Sequence, residues 1–417
     1  MDRKSEMKRI LIAAAGALLG ACGCAVWTGP SSSSWDEAVP VPRGGEKAFA
    51  EALRLEREGS YGEAAESFKL AARRGYDEEI CAGRLYGYDA ILDLTAAIKR
   101  NPAPGGGGGG LHIKLGLAFY NKEWHRKALE QYEEARRTGG DSSALLYLTA
   151  MAHVGAGDPA AAEAELLKAI DLDRNWGSMD TALAQVAMGR LHLMRGEVER
   201  AIARFRAVLE ADPKCAPAHA GLGRALYFKG DYAEALKELG EADGLSTSGW
   251  TDYTVWSVYR TLGDSRAADS AIAGAIAAFR KALDENPFDV GSMRGLARMT
   301  SEAPEALQEA QRLAVKALSI SPSGESYGTL GYVYMRAGRL EEAAEFLGGA
   351  IKRQGAESDY HYWLAMALGE LGKTQAALEA LEAAVRINPL NPLRIEAQRR
   401  IPPGAPAAGT RDAAGQP

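Results

Sequence analysis

Small and bulky apolar residues recur along this chain at the spacing of one helix face. A small residue lies five positions after each of seven glycines, and a bulky apolar residue follows four positions later. Alanine or valine usually comes three positions after that, and offsets of four and three place side chains on one face of a helix. The pattern therefore predicts pairs of helices joined by glycine turns. The seven glycines are Gly59, Gly157, Gly196, Gly230, Gly263, Gly338 and Gly372.

The glycines recur at a fixed interval. Gly196 and Gly230 are 34 residues apart, as are Gly338 and Gly372, and an interval of this size indicates a repeat architecture. Proline closes several units because it lacks an amide hydrogen and restricts the preceding residue. At these residues the chain resembles the tetratricopeptide repeat family, a helix-turn-helix unit of 34 residues. The resemblance covers residues 45–78 and 109–391.

The resemblance implies an all-α fold, a right-handed α-α superhelix of about eight units in all, with its main part over residues 111–398. An N-terminal repeat and a degenerate helical unit are expected over 46–104, with a glycine linker at 105–110 and a disordered tail at 399–417. One second helix, from about Ser265 to Glu285, is predicted to be two turns longer than usual. The unit at 291–323 lacks the turn glycine.

The N-terminal residues predict export to the cell envelope. Lys8 and Arg9 precede the apolar stretch Ile10 to Ala21, which is too short to span a bilayer and suits a signal peptide over residues 1–21. Leu19-Gly20-Ala21-Cys22 resembles the lipobox of bacterial lipoproteins. That resemblance implies cleavage before Cys22 and acylation of its thiol; the alternative is an ordinary secretory signal and an unmodified cysteine.

Two further features extend this prediction. Gly23 follows the cysteine, which by the family's sorting rule favours an outer-membrane lipoprotein facing the periplasm, if the host is Gram-negative. Residues 22–45 are rich in serine, proline and glycine and are predicted to form a flexible tether.

Composition argues against several classes of function. Without residues 1–21 the chain has 45 basic and 53 acidic residues, a net charge of −8, which disfavours nucleic acid as a partner. The six histidines are scattered and form no metal-binding motif, so we expect no metal, no cofactor and no enzyme. Cys81 is interpreted as a small buried apolar residue, with a disulfide between it and Cys215 left open.

The family resemblance places ligands on the concave surface, at set positions on the first helix of each unit. The residues there are mainly aromatic residues, methionine and arginine, types that are enriched in interface cores. Arg190 and Arg224 are 34 residues apart and hold the same position in adjacent units. Together with Arg260 they could bind carboxylates of a peptide; alternatively, each pairs with a glutamate of its own chain. The predicted groove residues are Tyr120, Tyr147, Met151, Arg190, Arg224, Tyr227, Phe228, Tyr253, Arg260, Tyr332, Arg336, Tyr362 and Trp363.

The sequence thus predicts a membrane-anchored scaffold that binds a protein or peptide segment in its concave groove. Such a scaffold would help to organise a bacterial envelope complex for secretion, pilus, outer-membrane or cell-wall assembly. The alternative is an exported polysaccharide in the same groove, because aromatic rings also suit the faces of sugars. Homo-oligomerisation is left open.

Overall fold

The computed structural model describes residues 44–100, 108–172, 179–245, 249–355 and 357–401, and within these ranges all regular structure is helical. The first ten helices are α1 (Gly44–Glu58), α2 (Tyr61–Arg73), α3 (Glu78–Leu85), α4 (Tyr88–Arg100), α5 (Gly108–Asn121), α6 (His125–Gly139), α7 (Ser143–Gly155), α8 (Pro159–Leu172), α9 (Met179–Met194) and α10 (Val198–Ala211). The others are α11 (Ala216–Lys229), α12 (Tyr232–Leu245), α13 (Gly249–Leu262), α14 (Ser265–Glu285), α15 (Val290–Thr300), α16 (Leu307–Ile320), α17 (Gly324–Arg336), α18 (Leu340–Arg353), α19 (Ser358–Glu370), α20 (Thr374–Ile387) and α21 (Leu393–Arg400).

The helices pack as consecutive pairs, so the all-α superhelix of helical hairpins is confirmed. The described residues hold nine such packed pairs, α1–α2 and α5–α6 to α19–α20, with two further helices, α3 and α4, between the first and second of them, where about eight units were predicted. In the degenerate region α3 packs on α2, and α4 packs on α2 and α5, rather than on each other. α15 and α16 are joined through the short 3₁₀ helix Pro304–Ala306 instead of a glycine turn. The long second helix has the predicted bounds, Ser265–Glu285.

The predicted boundaries differ from the observed ones at three places. α1 begins at Gly44, inside the predicted tether, and α21 reaches Arg400, inside the predicted tail, where Ile401 is buried. α5 begins at Gly108, so the last three glycines of the predicted linker are helical. A Cβ on Gly109 would lie 3.2 Å from Thr138 Oγ1, which shows that this turn of α5 packs closely on α6. The signal peptide, Cys22, and residues 101–107 and 402–417 lie outside the described ranges.

Each pair buries the apolar stripe that the sequence showed. In α10, Ala201, Phe205 and Val208 are fully buried. A Cβ on Gly189 or Gly221 would lie 2.7 or 2.4 Å from the Phe205 ring, so the glycines on the flanking helices make room for it. Small residues therefore set the close approach of the helices, and large ones fill the space between them.

The inter-helix turns explain the regular glycines. At Gly157 the backbone has φ 82°, its amide donates to Val154 O at 3.0 Å, and Asp158 N donates to His153 O at 2.9 Å. This hydrogen-bond pattern ends a helix with one residue in the left-handed region, where glycine has no steric cost.

The superhelix also contacts itself five or six pairs further along. Arg84 Nε donates to Ser319 O at 2.8 Å, Gln354 Nε2 to Gly155 O at 3.3 Å, and Asn388 Nδ2 to Leu193 O at 3.2 Å. Lys316 also pairs with Glu79 at 3.0 Å. These contacts join α3 and the turns of the first four pairs to the loops of the last three, and we call them the seam. The described helices therefore wind about twice around a common axis.

Candidate functional site

Two adjacent cavities lie between the first and second turns of the superhelix. One has a volume of about 550 Å³ and is lined by Met151 and Arg190 from the first turn and by Glu357 from the second. The other, of about 890 Å³, is lined by Tyr227 and by α21. They share the lining residues Arg224, Phe228, Tyr253 and Trp363, and we call them together the axial channel.

Arg190 and Arg224 present their guanidinium groups to this channel. Both side chains are accessible to solvent but lie inside the cavity, where the surrounding walls desolvate Arg190. Neither forms an ion pair with an acidic group within the described residues. Arg224 lies over the Phe228 ring, with 5.5 Å between its Cζ and the ring centroid. Burial lowers the pKa of Arg190, and the Arg224 cation lowers it further. The alternative that each pairs with a glutamate of its own chain is therefore not what this structure shows for these two residues.

Two other predicted arginines do have acidic partners. Arg260 pairs with Glu396 of α21 at 3.1 Å and lies over the Trp256 ring at 5.2 Å. Arg336 pairs with Glu302 at 3.1 Å. Both line the larger cavity, but their charges are already balanced within the chain.

Acidic groups form the facing wall of the channel. Glu325, Glu357 and Asp359 line the smaller cavity. Burial raises the pKa of Glu357 to about 7, and the Asp359 carboxylate adds to this shift, whereas Arg224 opposes it. The channel therefore has cations on α9 and α11 and carboxylates at the starts of α17 and α19, with Arg294 and Arg298 of α15 beside those carboxylates.

A half-buried arginine that the sequence analysis missed, Arg298, also lines the smaller cavity. Arg298 Nη2 donates to Tyr253 Oη at 2.7 Å, and its Cζ lies 4.9 Å from the Trp363 ring centroid. Its unit lacks the turn glycine, so the concave positions could not be numbered from that landmark. The signal that could have found it is the spacing of Arg294 and Arg298, four residues apart on one helix face.

Three predicted groove residues lie away from the channel. Tyr362 is a correction, because its ring is fully buried and its hydroxyl donates to Asn388 O at 2.9 Å. Tyr120 and Tyr147 are half-buried and line neither cavity, although they interact electrostatically with Arg190. Tyr332 does line the larger cavity, but it is mostly buried and donates its hydroxyl to Glu302.

Other candidate chemistry is limited in the part of the chain that the structure describes. Cys81 and Cys215 are buried free thiols there, and burial raises the pKa of Cys81 to about 11. No group of three or more histidine, cysteine or acidic side chains within those ranges could hold a metal ion. None of the described helices has the length and apolarity needed to cross a bilayer.

Comparison with known proteins gives a family match in three places. Residues 113–177, 186–245 and 329–392 match the profile of a family described as tetratricopeptide repeat. Among curated proteins, BBSome complex member BBS4 of Bos taurus is 24% identical over 275 residues, which cover 64% of this chain and 50% of that protein. The chain thus spans about half the length of this relative.

Solved structures resemble the chain at low identity. PilW, described as a widely conserved type IV pilus biogenesis factor, is 18% identical with a TM-score of 0.38, covering 58% of this chain and 96% of its own. Yeast Tom70 is 14% identical with a TM-score of 0.39, covering 86% and 81%. Human IFIT1, solved as a dimer with m7Gppp-AAAA, is 19% identical with a TM-score of 0.41, covering 71% and 72%.

Proposed function

Because this chain is a tetratricopeptide repeat protein, we propose that it is a non-catalytic scaffold that holds an extended protein segment in its axial channel. By holding that segment at a membrane it would help to organise a bacterial envelope complex. The repeats supply stacked hairpins with a continuous inner wall, which is how solenoids bind extended ligands.

The observation that carries the proposal is the state of Arg190 and Arg224. Neither guanidinium group forms an ion pair with an acidic group of the described residues, although Arg224 acts on Glu357 across the channel. Like charges brought together in a partly desolvated site raise each other's cost. An acidic side chain of a bound segment would relieve that repulsion and accept forked hydrogen bonds. The carboxylates on the facing wall would in turn favour basic residues in the same segment.

The sugar alternative has less support from the lining. Tyr332 and Trp363 lie with their ring centroids 4.7 Å apart and both are nearly buried. Their faces are used by each other and by Arg298 rather than presented to a ligand. A protein segment that brings opposite charges to the two walls suits the channel better.

The test uses charge reversal in the full-length protein. We expect Arg190→Glu combined with Arg224→Glu to reduce co-purification of a cross-linked protein partner by at least about tenfold, because it adds repulsion where an acidic group should bind. The matched control is Arg200→Glu with Arg206→Glu, two exposed residues of the neighbouring helix α10. Unchanged capture in the channel variant, with helical circular dichroism intact, would remove the channel from the proposal. Tryptophan fluorescence that is quenched by envelope glycans but not by peptides would favour the sugar alternative.

We extend the proposal to location on sequence grounds alone. Acylation at Cys22 would anchor the scaffold to the outer membrane facing the periplasm, since two or three acyl chains hold a protein stably. Cys22→Ala should abolish labelling by radioactive palmitate and release the protein from the membrane fraction. Cys24→Ala is the matched control and should change neither result. Labelling that persists in Cys22→Ala would contradict the anchor.

A further inference from the structure

Glu123 occupies a turn position where seven other helix pairs have glycine. Its φ is 59°, and it is the one non-glycine residue with positive φ within the described ranges. Its amide donates to Tyr120 O at 2.8 Å, and Trp124 N donates to Phe119 O at 2.9 Å, the same pattern as at Gly157. A glutamate in this conformation is strained, and such strain persists only where the surroundings enforce it.

The Glu123 carboxylate crosses the seam. Its Oε1 accepts from Arg294 Nη1 at 2.5 Å, and its Oε2 accepts from Ser321 Oγ at 2.5 Å. Arg294 is 6% exposed and uses its other nitrogen for Glu325 at 2.6 Å. These residues are 171 and 198 positions from Glu123. The strained inter-helix turn at Glu123 belongs to the first superhelical turn, and its carboxylate therefore joins it to the buried Arg294 of the second.

The same turn is also fixed on its own side of the seam. Lys122 Nζ donates to the carbonyl oxygens of Arg84 and Tyr86 at 2.7 and 2.8 Å. The Trp124 ring stacks on Tyr61, with 5.8 Å between centroids. The backbone on either side of Glu123 is thus held in place, so the carboxylate is aimed at Arg294 by a rigid support.

The ion pair between Glu123 and Arg294 lies next to the axial channel. Arg294 and Glu325 both line the smaller cavity. The cavity walls come from both superhelical turns, so separating the turns at the seam would open the channel along its side. An extended segment could then enter laterally instead of threading through an end.

We propose that Glu123 is the latch of a gate, holding the two superhelical turns together over the channel and releasing them to admit a protein segment. The inference rests on the proposed function for the identity of what enters, but the opening itself is a property of the free protein. In the closed state the strain at Glu123 is offset by its contacts with Arg294 and Ser321. A buried ion pair contributes little net free energy after desolvation, so the closed and open states stay close in free energy.

Hydrogen exchange of the full-length protein tests the latch. Glu123→Gly removes the carboxylate and installs the residue that the other turns use, so the hairpin should fold with an unchanged melting temperature. We expect amides in residues 119–125 and 319–326 to exchange at least about tenfold faster than in the wild type, because local opening sets their protection. Amides of α18, which lies away from Glu123, should be unaffected.

Two companion variants separate the latch from strain. Glu123→Gln keeps the strained backbone and one hydrogen-bond acceptor, so its exchange should lie between wild type and Glu123→Gly. Gly338→Glu places a glutamate at the same turn position of α17–α18, where φ is 71° and a Cβ would meet nothing within 4 Å. It should lower the melting temperature without changing exchange at the seam. Wild-type protection at the seam in Glu123→Gly would overturn the latch.

Channel access gives the second readout. In a Met151→Cys variant the new thiol lines the channel, and its labelling can be followed by peptide mass spectrometry. A maleimide carrying a bulky polyethylene glycol chain should react at least about tenfold faster when Glu123→Gly is added, whereas a small maleimide should change little, because only the large reagent needs the open gate. Equal acceleration of both reagents would indicate general loosening and contradict a gate. If the seam opens as described but no protein partner is captured in pulldown, the proposed function alone is refuted.

Discussion

Neighbouring helix pairs and successive superhelical turns are held together by different kinds of contact. Between pairs the contacts are apolar, as where the Phe205 ring fills the space beside Gly189 and Gly221. Across the seam they include hydrogen bonds and ion pairs, such as Arg84 with Ser319 and Arg294 with Glu123, beside a local apolar contact of Tyr86 with Phe288. Apolar burial is non-directional and adds up over many contacts, whereas a buried ion pair contributes little net free energy. Stability therefore resides within each turn, and the freedom to move lies between the turns.

The largest effect should follow from emptying an apolar interface. Phe205→Ala removes a fully buried ring and should lower the free energy of unfolding by about 3–5 kcal/mol, the range found for large cavities. Urea denaturation followed by circular dichroism measures the change. Leu167→Ala, at a side chain that is 47% exposed, should cost less than about 0.5 kcal/mol. Similar losses in both variants would contradict an interface held by apolar packing.

Glycine-to-alanine substitution should change the free energy of unfolding in opposite directions at two sites. Gly221→Ala puts a Cβ 2.4 Å from the Phe205 ring and should destabilise by about 1–3 kcal/mol through overpacking. Gly348→Ala, in α18 with nothing within 4 Å of the new Cβ, should stabilise by about 0.5–1 kcal/mol through helix propensity. Denaturation midpoints measure both, and stabilisation by Gly221→Ala would show that the helices do not pack as closely as described.

The channel should make stability depend on pH through Glu357. Burial raises the pKa of this carboxyl from 4.5 to about 7, so folding favours its protonated form. Its contribution is fully present below pH 4.5 and is lost as the pH rises through about 7. Glu357→Gln should therefore stabilise the protein by on the order of 1–2 kcal/mol at pH 8 and by much less at pH 4.

The control for this profile is Glu341→Gln, at an exposed residue of α18. It should change stability by less than about 0.5 kcal/mol at either pH. Thermal denaturation across the pH range gives the comparison. A constant difference between wild type and Glu357→Gln at pH 4 and pH 8 would refute a desolvated carboxyl in the channel.

The smallest effect should appear at the seam in acid. Burial raises the pKa of Glu123, but Arg294 and Ser321 outweigh it and hold that pKa below the ordinary 4.5. The latch is therefore complete above pH 4.5 and is lost as the pH falls through the lowered folded-state value. The free energy of opening at the seam, measured by hydrogen exchange, should be about 1 kcal/mol higher in the wild type than in Glu123→Gln at pH 7. The two values should converge in acid. A difference that grows in acid would contradict the stated sign.

The sequence predicted the hairpins well because their physics is local. Glycine with positive φ, a small residue and a bulky one recur within each pair, and the bounds of α14 followed from its neighbours. The glycine landmark does not mark every pair, because the turns of α5–α6 and α15–α16 lack it. At α5–α6 Glu123 stands at the turn position that glycine occupies in other pairs, so this departure from the repeat marks the residue that contacts Arg294 across the seam.

The channel was only partly predictable. Counting along each first helix found Arg190, Arg224, Tyr253 and Trp363, because a helix face repeats with a fixed period. Tyr362 is next to Trp363, about 100° around the helix, and points into the core instead. Which residues meet across the seam depends on superhelical pitch, a sum of small rotations over many pairs. No short-range pattern contains that sum, so Arg298 and the Glu123–Arg294 pair were not predicted.

The most direct test of the scaffold is site-specific photo-crosslinking in cells. Benzoylphenylalanine at position 151 would lie in the axial channel, and at position 167 on the exposed face of α8. We predict a discrete protein adduct from position 151 that disappears when Arg190→Glu and Arg224→Glu are added, and no such adduct from position 167. Adducts of equal yield from both positions, or none from the channel, would contradict a segment held along the axis.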